Sequence, residues 1–276
     1  LACLMEVTAP KPGNVHRGAD FDDVGFFDFA ASAVAVTPAM EDAVRVPVGE
    51  TVLRAALATR EMVQSNTNLG TLLLLAPLAK VPRTQPLDQG VQEVLAQLTP
   101  RDAELVYEAV RVASPGGLGK VEEADVSGPA PQDLLQGMRL AADRDLVAQQ
   151  YVNGFHHVLG PVRTWLLEIA DQEKPLQEAV LYAFLRLLSE EPDSLIARKS
   201  GEDVARQASA RAARVLEAGP PCGEEYHREA AALDFWLRGA GRLRNPGTTA
   251  DLIAAALFGV LRDGRLRPPF HFHPRC

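Results

Sequence analysis

The sequence has little cysteine. Its 276 residues include three, Cys3, Cys222 and Cys276, and no two of them have the CxxC spacing of a zinc or redox motif. An odd number of widely separated cysteines is also unsuited to a disulfide framework. We therefore expect a reducing, cytoplasmic location.

Long hydrophobic runs are absent as well. The longest, Leu69 to Ala79, contains Gly70 and Pro77 and is much shorter than the roughly 20 apolar residues that a membrane-spanning helix needs. No segment has the pattern of a signal peptide. We expect neither a membrane span nor secretion.

An excess of basic residues is missing too. Lys and Arg number 28 against 36 Asp and Glu, which leaves a formal net charge of −8. General nucleic-acid binding requires a basic face that neutralises phosphates, so no nucleic-acid partner is expected. A local basic pocket for a small polyphosphate is still compatible with this composition.

Alternating strand patterns are nearly absent, and helical periodicity takes their place. Apolar residues recur at three-and-four spacing from Leu176 to Leu188, which is the pattern of one buried helix face. Similar stripes run through segments 26–36, 52–62, 103–112, 134–147, 204–216, 230–237 and 252–261. The pattern predicts a single compact all-α domain over residues 1–276 with roughly ten to twelve helices, and a surface tail over 265–276. Apolar helix faces would permit a homodimer.

A polar segment near the start of the chain interrupts this helical pattern. It combines cationic or donor side chains with three carboxylates, namely Lys11, His16 and Arg17 with Asp20, Asp22 and Asp23. Triphosphates are usually bound as magnesium complexes, which need cations for the phosphates and carboxylate oxygens for the metal. The alternative is that Asp22 or Asp23 only caps a helix beginning near Val24.

A second polar segment, residues 245–251, precedes the last apolar helix. Thr248 is a candidate N-cap with Asp251 three positions later, the spacing of a capping box. Alternatively, the amides at this helix start, with the Thr248 and Thr249 hydroxyls, accept phosphate while Asp251 faces a metal ion. Nothing in the local sequence separates the two interpretations.

Two further polar islands lie within apolar sequence. Asn66, Thr67 and Asn68 directly precede a run of leucines, where their amide groups need partners or a ligand; a plain N-cap by Asn66 or Asn68 is the alternative. Asp193 stands shortly before Arg198 and Lys199. This carboxylate and the two cations are candidates for a ligand site, and the alternative is a solvated helix end.

Three other segments carry weaker signals. Residues 114–120 are rich in glycine but fail the Walker pattern, and we expect at most a flexible lid there. Residues 143–145 are interpreted as a charged turn in a long helix, where side-chain pairing on the helix surface is the usual explanation. The His156–His157 pair and the terminal His271, His273 and Cys276 have spacing that is poor for a closed metal site.

Taken in order, the four polar segments resemble the triphosphoribosyl-dephospho-coenzyme A synthase family, the CitG/MdcB group. The resemblance is carried by Glu6 with 10–13 and 18–22, by Asn66–Thr67 followed by Gly70, by the Asp-x-x-x-x-Arg-x-x-Gly pattern of 193–201, and by 247–251. It covers nearly the whole chain and is closest to a divergent branch of the family.

The resemblance implies an all-α transferase that uses ATP with magnesium. Adenine leaves, and the triphosphoribosyl group passes to the 2′-hydroxyl of 3′-dephospho-coenzyme A, giving the precursor of a lyase prosthetic group. Cleavage of the ribose N-glycosidic bond develops positive charge on the sugar while the triphosphate stays intact. Carboxylates and a clamped magnesium triphosphate suit that reaction.

The resemblance also implies roles for the polar residues. The metal ligands and the carboxylates that face the ribose are Glu6, Asp22, Asp193 and Asp251. The substrate-binding residues are Lys11, Arg17, Thr67, Arg198, Lys199, Thr248 and Thr249. Asn66 and Asn68 are candidate catalytic residues that orient the ribose or base, and Asp22 is the candidate acceptor for the proton of the acceptor hydroxyl.

The sequence departs from the family pattern at Asn68, where the lyase-associated enzymes carry His. This removes a titratable group from the position, so ribosyl transfer to another acceptor in cofactor biosynthesis, such as a one-carbon carrier, is the nearest alternative. Magnesium-dependent nucleotide hydrolysis and a noncatalytic helical scaffold are the competing classes.

Overall fold

A computed structural model describes residues 1–114, 128–172, 174–221 and 223–272. The described residues form sixteen α-helices and one 3-10 helix. In chain order they are α1 (Ala2–Thr8), α2 (Phe26–Ala35), α3 (Thr37–Asp42), α4 (Val48–Val63), α5 (Leu69–Lys80), α6 (Leu87–Ala96), α7 (Pro100–Ala113), α8 (Leu134–Ala141), α9 (Leu146–Asn153), α10 (His156–Leu159), α11 (Pro161–Ala170), α12 (Leu176–Glu190), α13 (Ser194–Ser200), α14 (Glu202–Glu217), α15 (Glu224–Arg238), the 3-10 helix (Gly241–Arg244) and α16 (Gly247–Arg262).

The all-α prediction is confirmed. The only β pairing in the described residues consists of two isolated bridges, His16 with Ala19 and Phe21 with Val24. The helix count exceeds the ten to twelve that the sequence predicts, because several short helices of four to eight residues carry no full apolar stripe of their own. Every described helix is too short or too polar to cross a membrane.

The chain divides into two compact units, residues 1–26 with 160–276 and residues 27–159. In the first unit α12 is almost completely buried, and it packs against α1, α11, α14 and α16. Its buried face includes the apolar stripe recognised in the sequence, with Phe184, Leu187 and Leu188 fully inaccessible. The backbone N–H groups of Leu176 and Gln177, at its start, donate to the carbonyls of His271 and Phe272 in the terminal segment.

In the second unit α4 packs most extensively against α7, and α5 packs against α4, α6 and α9. The capping box of α7, in which Thr99 and Asp102 bond each other's backbone N–H groups, shows why this helix begins where it does. Asp102 also accepts from the N–H of Gly49 at 2.8 Å, so one buried carboxylate joins the starts of α4 and α7.

The predicted long helix over 134–147 is wrong. Asp145 caps a new helix by accepting the N–H groups of Val147, at 2.8 Å, and Ala148, at 3.3 Å. A short polar side chain that satisfies backbone donors favours a helix start over a helix interior, so the charged residues 143–145 separate α8 from α9. The single domain over 1–276 stays a prediction.

Candidate active site

The loop that carries the first polar segment lies directly on α15. Gly13 has φ of +72°, and a Cβ there would stand 2.6 Å from the Cβ of Leu237, so only glycine fits this approach. Its N–H donates to Asp234 Oδ1 at 2.7 Å. Next to it the buried amide of Asn14 donates to Asn245 Oδ1 at 3.0 Å. The first and last polar segments of the sequence are therefore in contact.

Arg238 of α15 holds the rest of this loop. Its Nε lies 2.8 Å from Asp234 Oδ1, and its Nη groups donate to the carbonyls of Asn14 and Asp20. The guanidinium also lies over the ring of Phe21, 5.1 Å from its centroid. A planar group with five donors is well suited to bind several backbone segments at once. Asp234 and Arg238 thus fix the path of the carboxylate-rich loop.

The three aspartates of the loop have different surroundings. Asp20 Oδ1 accepts the N–H of Phe26 at 2.6 Å and caps α2. The alternative in which Asp22 or Asp23 caps this helix is therefore wrong. Asp23 is exposed and pairs with Arg242 Nη1 at 2.7 Å, and this hydrogen bond lowers the pKa of Asp23. Asp22 is exposed at the loop surface.

Lys11 and Glu6 form a buried ion pair. Lys11 is fully inaccessible, and its Nζ contacts Glu6 Oε1 at 3.0 Å, the Glu6 carbonyl at 2.6 Å and the Ala9 carbonyl at 3.3 Å. Burial lowers the pKa of Lys11 and raises the pKa of Glu6. All three ammonium donors of Lys11 are taken within the chain. The roles of Lys11 in substrate binding and of Glu6 in metal binding stay predictions.

Asp193 joins the starts of α13 and α16. Its Oδ1 accepts the N–H groups of Leu195, at 2.9 Å, and Ile196, at 3.0 Å. Its Oδ2 accepts the N–H and the hydroxyl of Thr249 at 2.7 and 2.8 Å. The side chain is completely buried, and burial raises the pKa of Asp193. The solvated helix end considered for this segment is wrong for Asp193, since four donors surround its carboxylate.

Thr248 does not cap α16, because the helix begins one residue earlier, at Gly247, and makes no side-chain cap bond. The buried Thr248 hydroxyl instead accepts from Ser194 Oγ at 3.0 Å. The proposed capping box with Asp251 is therefore wrong. Asp251 is half-buried. Burial, together with the carboxylates of Glu6 and Asp251, raises the pKa of Cys3 on α1 to about 12.

A group of cations, which we call the basic cluster, consists of Arg198, Lys199 and Arg242. Burial lowers the pKa of Lys199, and the guanidinium groups of Arg242 and Arg198 lower it further, against the carboxylates of Asp193 and Asp23. A hydrogen bond from Ser200 Oγ to the Leu243 carbonyl, at 2.9 Å, holds the end of α13 against the 3-10 helix that carries Arg242. Like charges gathered in this way favour an anionic ligand.

His16 and Arg17 lie beyond the buried start of the loop. His16 Nδ1 accepts the N–H of Gly18 at 3.1 Å, which places the proton of the neutral ring on Nε2. Burial, with the positive charges of Lys11 and Arg238, lowers the pKa of His16 to about 4. Arg17 is exposed. At neutral pH His16 is therefore an uncharged donor beside cations.

The third polar island belongs to the second unit. Asn66 Oδ1 accepts the N–H of Leu69, the first residue of α5, at 3.1 Å. The N-cap position of α5 belongs to Asn68, whose side chain makes no cap hydrogen bond. The Thr67 hydroxyl donates to Ser32 Oγ at 2.7 Å. Both bonds are local to this unit.

The amide of Asn68 lies 3.1 Å from the hydroxyl of Thr59. These two side chains line a small pocket together with Ala56, Arg60, Ser65, Asn66, Leu69, Leu72 and Ala113. Asn68 thus presents an amide, which does not titrate, to this small pocket.

The model of one protein family matches residues 1–268, and its description is CitG: ATP:dephospho-CoA triphosphoribosyl transferase. The chain belongs to the CitG family. The resemblance drawn from the sequence is confirmed, and the protein is a transferase enzyme.

The CitG assignment agrees with a solved structure from Archaeoglobus fulgidus, a provisionally assigned triphosphoribosyl-dephospho-CoA synthase. The two chains are 28% identical and superpose with a TM-score of 0.66, over 85% of this chain and 99% of that one. A comparison with curated proteins found no match.

Three residues of the candidate site were missed in the sequence: Asp234, Arg238 and Arg242. Asp234 and Arg238 lie four residues apart inside an ordinary amphipathic helix, where a pair at this spacing is expected on any helix surface. Arg242 lies in a short 3-10 turn without a motif. Their partners are more than 200 residues away in the sequence, so no local pattern could have found them.

The predicted metal ligands do not form a ready cage. Within the described ranges, no group of three or more His, Cys, Asp or Glu side chains is arranged to hold a metal ion. His157 Nδ1 instead lies 3.0 Å from the Gln150 amide. Of the glycine-rich segment 114–120, residues 115–120 lie outside the described residues, and so do His273 and Cys276.

Proposed function

We propose that this CitG-family protein transfers the triphosphoribosyl group of ATP to the 2′-hydroxyl of 3′-dephospho-CoA and releases adenine. The C1′–N9 bond of ATP breaks and its electron pair leaves with adenine, which is protonated. A C1′–O bond to the acceptor forms, and the hydroxyl proton passes to a carboxylate. The product is the precursor of a lyase prosthetic group.

The observation that carries this proposal is the basic cluster beside an acidic loop, in a chain that matches the CitG model almost from end to end. Arg198, Lys199 and Arg242 bind the triphosphate, and Arg17 reaches it from the loop. A lysine whose charge is disfavoured by burial and by neighbouring cations gains most from an anionic ligand. The transferred group keeps all three phosphates, so the same contacts hold it before and after transfer.

Thr248 and Thr249 support the site through the fold, because their hydroxyls bond Ser194 and Asp193. They and the buried Asp193 fix the start of α16 relative to α13, which carries two members of the basic cluster. Lys11 supports the site in the same indirect way, since it pins the first turn of the loop. These residues are therefore proposed as positioning residues.

Magnesium fits the residues present only as a complex with the triphosphate. The ion keeps several water and phosphate ligands and needs one or two carboxylates from the protein. Asp22 and Asp251 are the carboxylates proposed for this contact, because Asp193 is surrounded by donors and Glu6 is paired with Lys11. The bound ion would offset the negative charge of the triphosphate.

The reacting ribose needs negative charge nearby when its N-glycosidic bond breaks. Asp22 is the proposed acceptor for the acceptor hydroxyl proton because it is exposed on a loop that Asp234 and Arg238 hold in place. The roles of Asn66, Thr67 and Asn68 in orienting the ribose or the base stay predictions, as does a homodimer.

The test is incubation with ATP, magnesium and dephospho-CoA, followed by mass spectrometry. We expect free adenine and a triphosphoribosylated adduct in equal amounts. ADP, AMP or phosphate in place of adenine would mean hydrolysis of a phosphoanhydride bond and would overturn the proposal. Adenine without the adduct would keep the N-glycosidic chemistry and reject dephospho-CoA as acceptor.

Substitution of the proposed carboxylates tests their roles. Asp22→Asn and Asp251→Asn should each abolish turnover while the helical circular dichroism stays that of the parent chain. The exposed Asp203, at the start of α14, provides a control substitution, Asp203→Asn, that should leave turnover intact. Retained turnover in both test variants would remove these two residues from the proposed magnesium contact.

A further inference from the structure

A second group of cations lies on the same unit as the basic cluster. The guanidinium of Arg211, from α14, lies over the indole of Trp236 at 4.6 Å from the ring centroid. The guanidinium of Arg244, from the 3-10 helix, lies over the same ring at 4.3 Å. Arg244 Nη1 also donates to the Trp236 carbonyl at 3.1 Å. We call these three half-buried residues the arginine stack.

The arginine stack differs from most ion contacts of this unit because it lacks an acidic member. On the same helices, Arg206 pairs with Asp203 and Arg228 pairs with Glu225. In the part of the chain that the structure describes, neither Arg211 nor Arg244 has a carboxylate within ion-pair distance. Two cations held on one ring repel each other, and contact with the indole offsets only part of that cost. Such an arrangement favours the binding of an anionic ligand.

The form of the stack indicates which anion it suits. Cation–π contacts hold both guanidiniums in fixed planes, and a planar guanidinium can donate two parallel hydrogen bonds to a phosphate group. Each of the two guanidiniums can bind one of the two linked phosphates of a diphosphate. Arg244 stands two residues after Arg242 of the basic cluster, on one 3-10 turn. The same turn therefore carries one member of the basic cluster and one member of the arginine stack.

We infer that the arginine stack binds the diphosphate bridge of the acceptor nucleotide. This inference rests on the proposed function, which requires two phosphorylated substrates in one site. The basic cluster, next to the aspartates of the loop, suits a triphosphate that carries magnesium. The stack, which has no acidic residue for a metal, suits a diphosphate diester of lower charge. Arg211 and Arg244 are thereby specificity-determining residues for the acceptor.

The kinetic test compares the two substrates in Arg211→Ala and Arg244→Ala. Each variant should raise the KM for dephospho-CoA about tenfold, the effect of losing one charge-assisted contact that is partly exposed to water. The KM for ATP should change less than about twofold, since the basic cluster is intact. Arg214→Ala, on the same helix but exposed and outside the stack, is the matched control and should change neither constant.

The result that would overturn the inference is equally specific. A larger rise in the KM for ATP than for dephospho-CoA would place the triphosphate on the stack, and unchanged constants would make the stack purely structural. Arg211→Lys and Arg244→Lys keep the charge without the planar donor pair, and we expect an intermediate rise of about threefold. These milder variants decide the matter if the alanine variants do not fold.

Direct binding separates this inference from the proposed reaction. Titration calorimetry with dephospho-CoA alone should show about tenfold weaker binding to each alanine variant than to the parent chain. This measurement needs no turnover, so it holds even if the parent chain releases no adenine and the proposed reaction fails. Equal binding to parent and variants, or no binding to the parent, would contradict the role of the stack.

Discussion

Two groups of three charged residues in the first unit have different surroundings. Glu6, Lys11 and Asp193 are buried, and each charge has its partners within the chain. Arg198, Lys199 and Arg242 are half-buried and stand close to other cations. A buried charge costs several kcal/mol unless it is paired, so we expect substitutions in the first group to change the free energy of unfolding. An added anion offsets the repulsion between neighbouring cations, so we expect substitutions in the second group to change the affinity for an anionic ligand.

The largest effect that would sharpen this contrast is expected from Lys11→Met. It leaves the Glu6 carboxylate buried without its partner and should lower the free energy of unfolding by about 3–5 kcal/mol. Urea denaturation followed by circular dichroism measures the change. Arg206→Ala, which breaks an exposed pair on α14, is the control and should cost about 0.5 kcal/mol. A loss below that of the control would show that the buried pair does not hold the fold.

A smaller loss is expected from Asp193→Ala. The substitution removes the acceptor for four donors between α13 and α16, two of them from Thr249. Unsatisfied buried donors should lower the free energy of unfolding by about 3 kcal/mol. Asp203→Ala at the exposed start of α14 is the matched control. If both aspartates prove equivalent in the same denaturation experiment, the contrast between buried and exposed carboxylates is lost.

For the second group we expect a change in binding rather than in stability. Arg242→Ala should weaken ATP binding in calorimetry about tenfold, or roughly 1.4 kcal/mol, because it removes a cation that contacts Asp23 and neighbours Lys199. The free energy of unfolding should change by less than about 1 kcal/mol. Loss of stability with unchanged affinity would move Arg242 into the structural group.

The smallest effect concerns pH. Burial and neighbouring cations lower the pKa of Lys199 in the ligand-free protein, so its charge is lost at a lower pH than for an ordinary lysine. ATP binding, which favours the charged form, should therefore weaken as pH rises through that lowered pKa. Lys199→Arg keeps the charge and should flatten this alkaline decline by a few-fold in Kd. Lys174→Arg, outside the cluster, should retain the decline of the parent chain.

Much of the fold could be predicted because the apolar stripes are long and regular. The stripe from Leu176 to Leu188 became α12, and those near the end became α14, α15 and α16. Predictions failed where a single polar residue decides between two helix starts. Asp145 is the N-cap of α9, inside a segment that was predicted to be one helix. Asp20, rather than Asp22 or Asp23, accepts the first N–H of α2. Such choices depend on one hydrogen bond, which periodicity does not contain.

The candidate site could be located in part. Residue types and spacing singled out the loop, the Asp193 segment and the start of α16, and the structure brings these three together in one unit through Asn14, Asn245 and Thr249. The same types and spacing could not separate Lys11, which is buried, from Lys199, which faces other cations. A lysine has the same chemistry in both places, and only its neighbours set its pKa and its access to a ligand.

By itself, the sequence determined the all-α class and the CitG family, because helix periodicity and motif order are properties of the linear chain. The tertiary structure decided which charges support the fold and which are available to a substrate. It also supplied Arg238, Arg242 and the arginine stack, whose partners lie on other segments. Burial, pairing and repulsion arise between residues that are distant in sequence, so their consequences emerge only when the chain is folded.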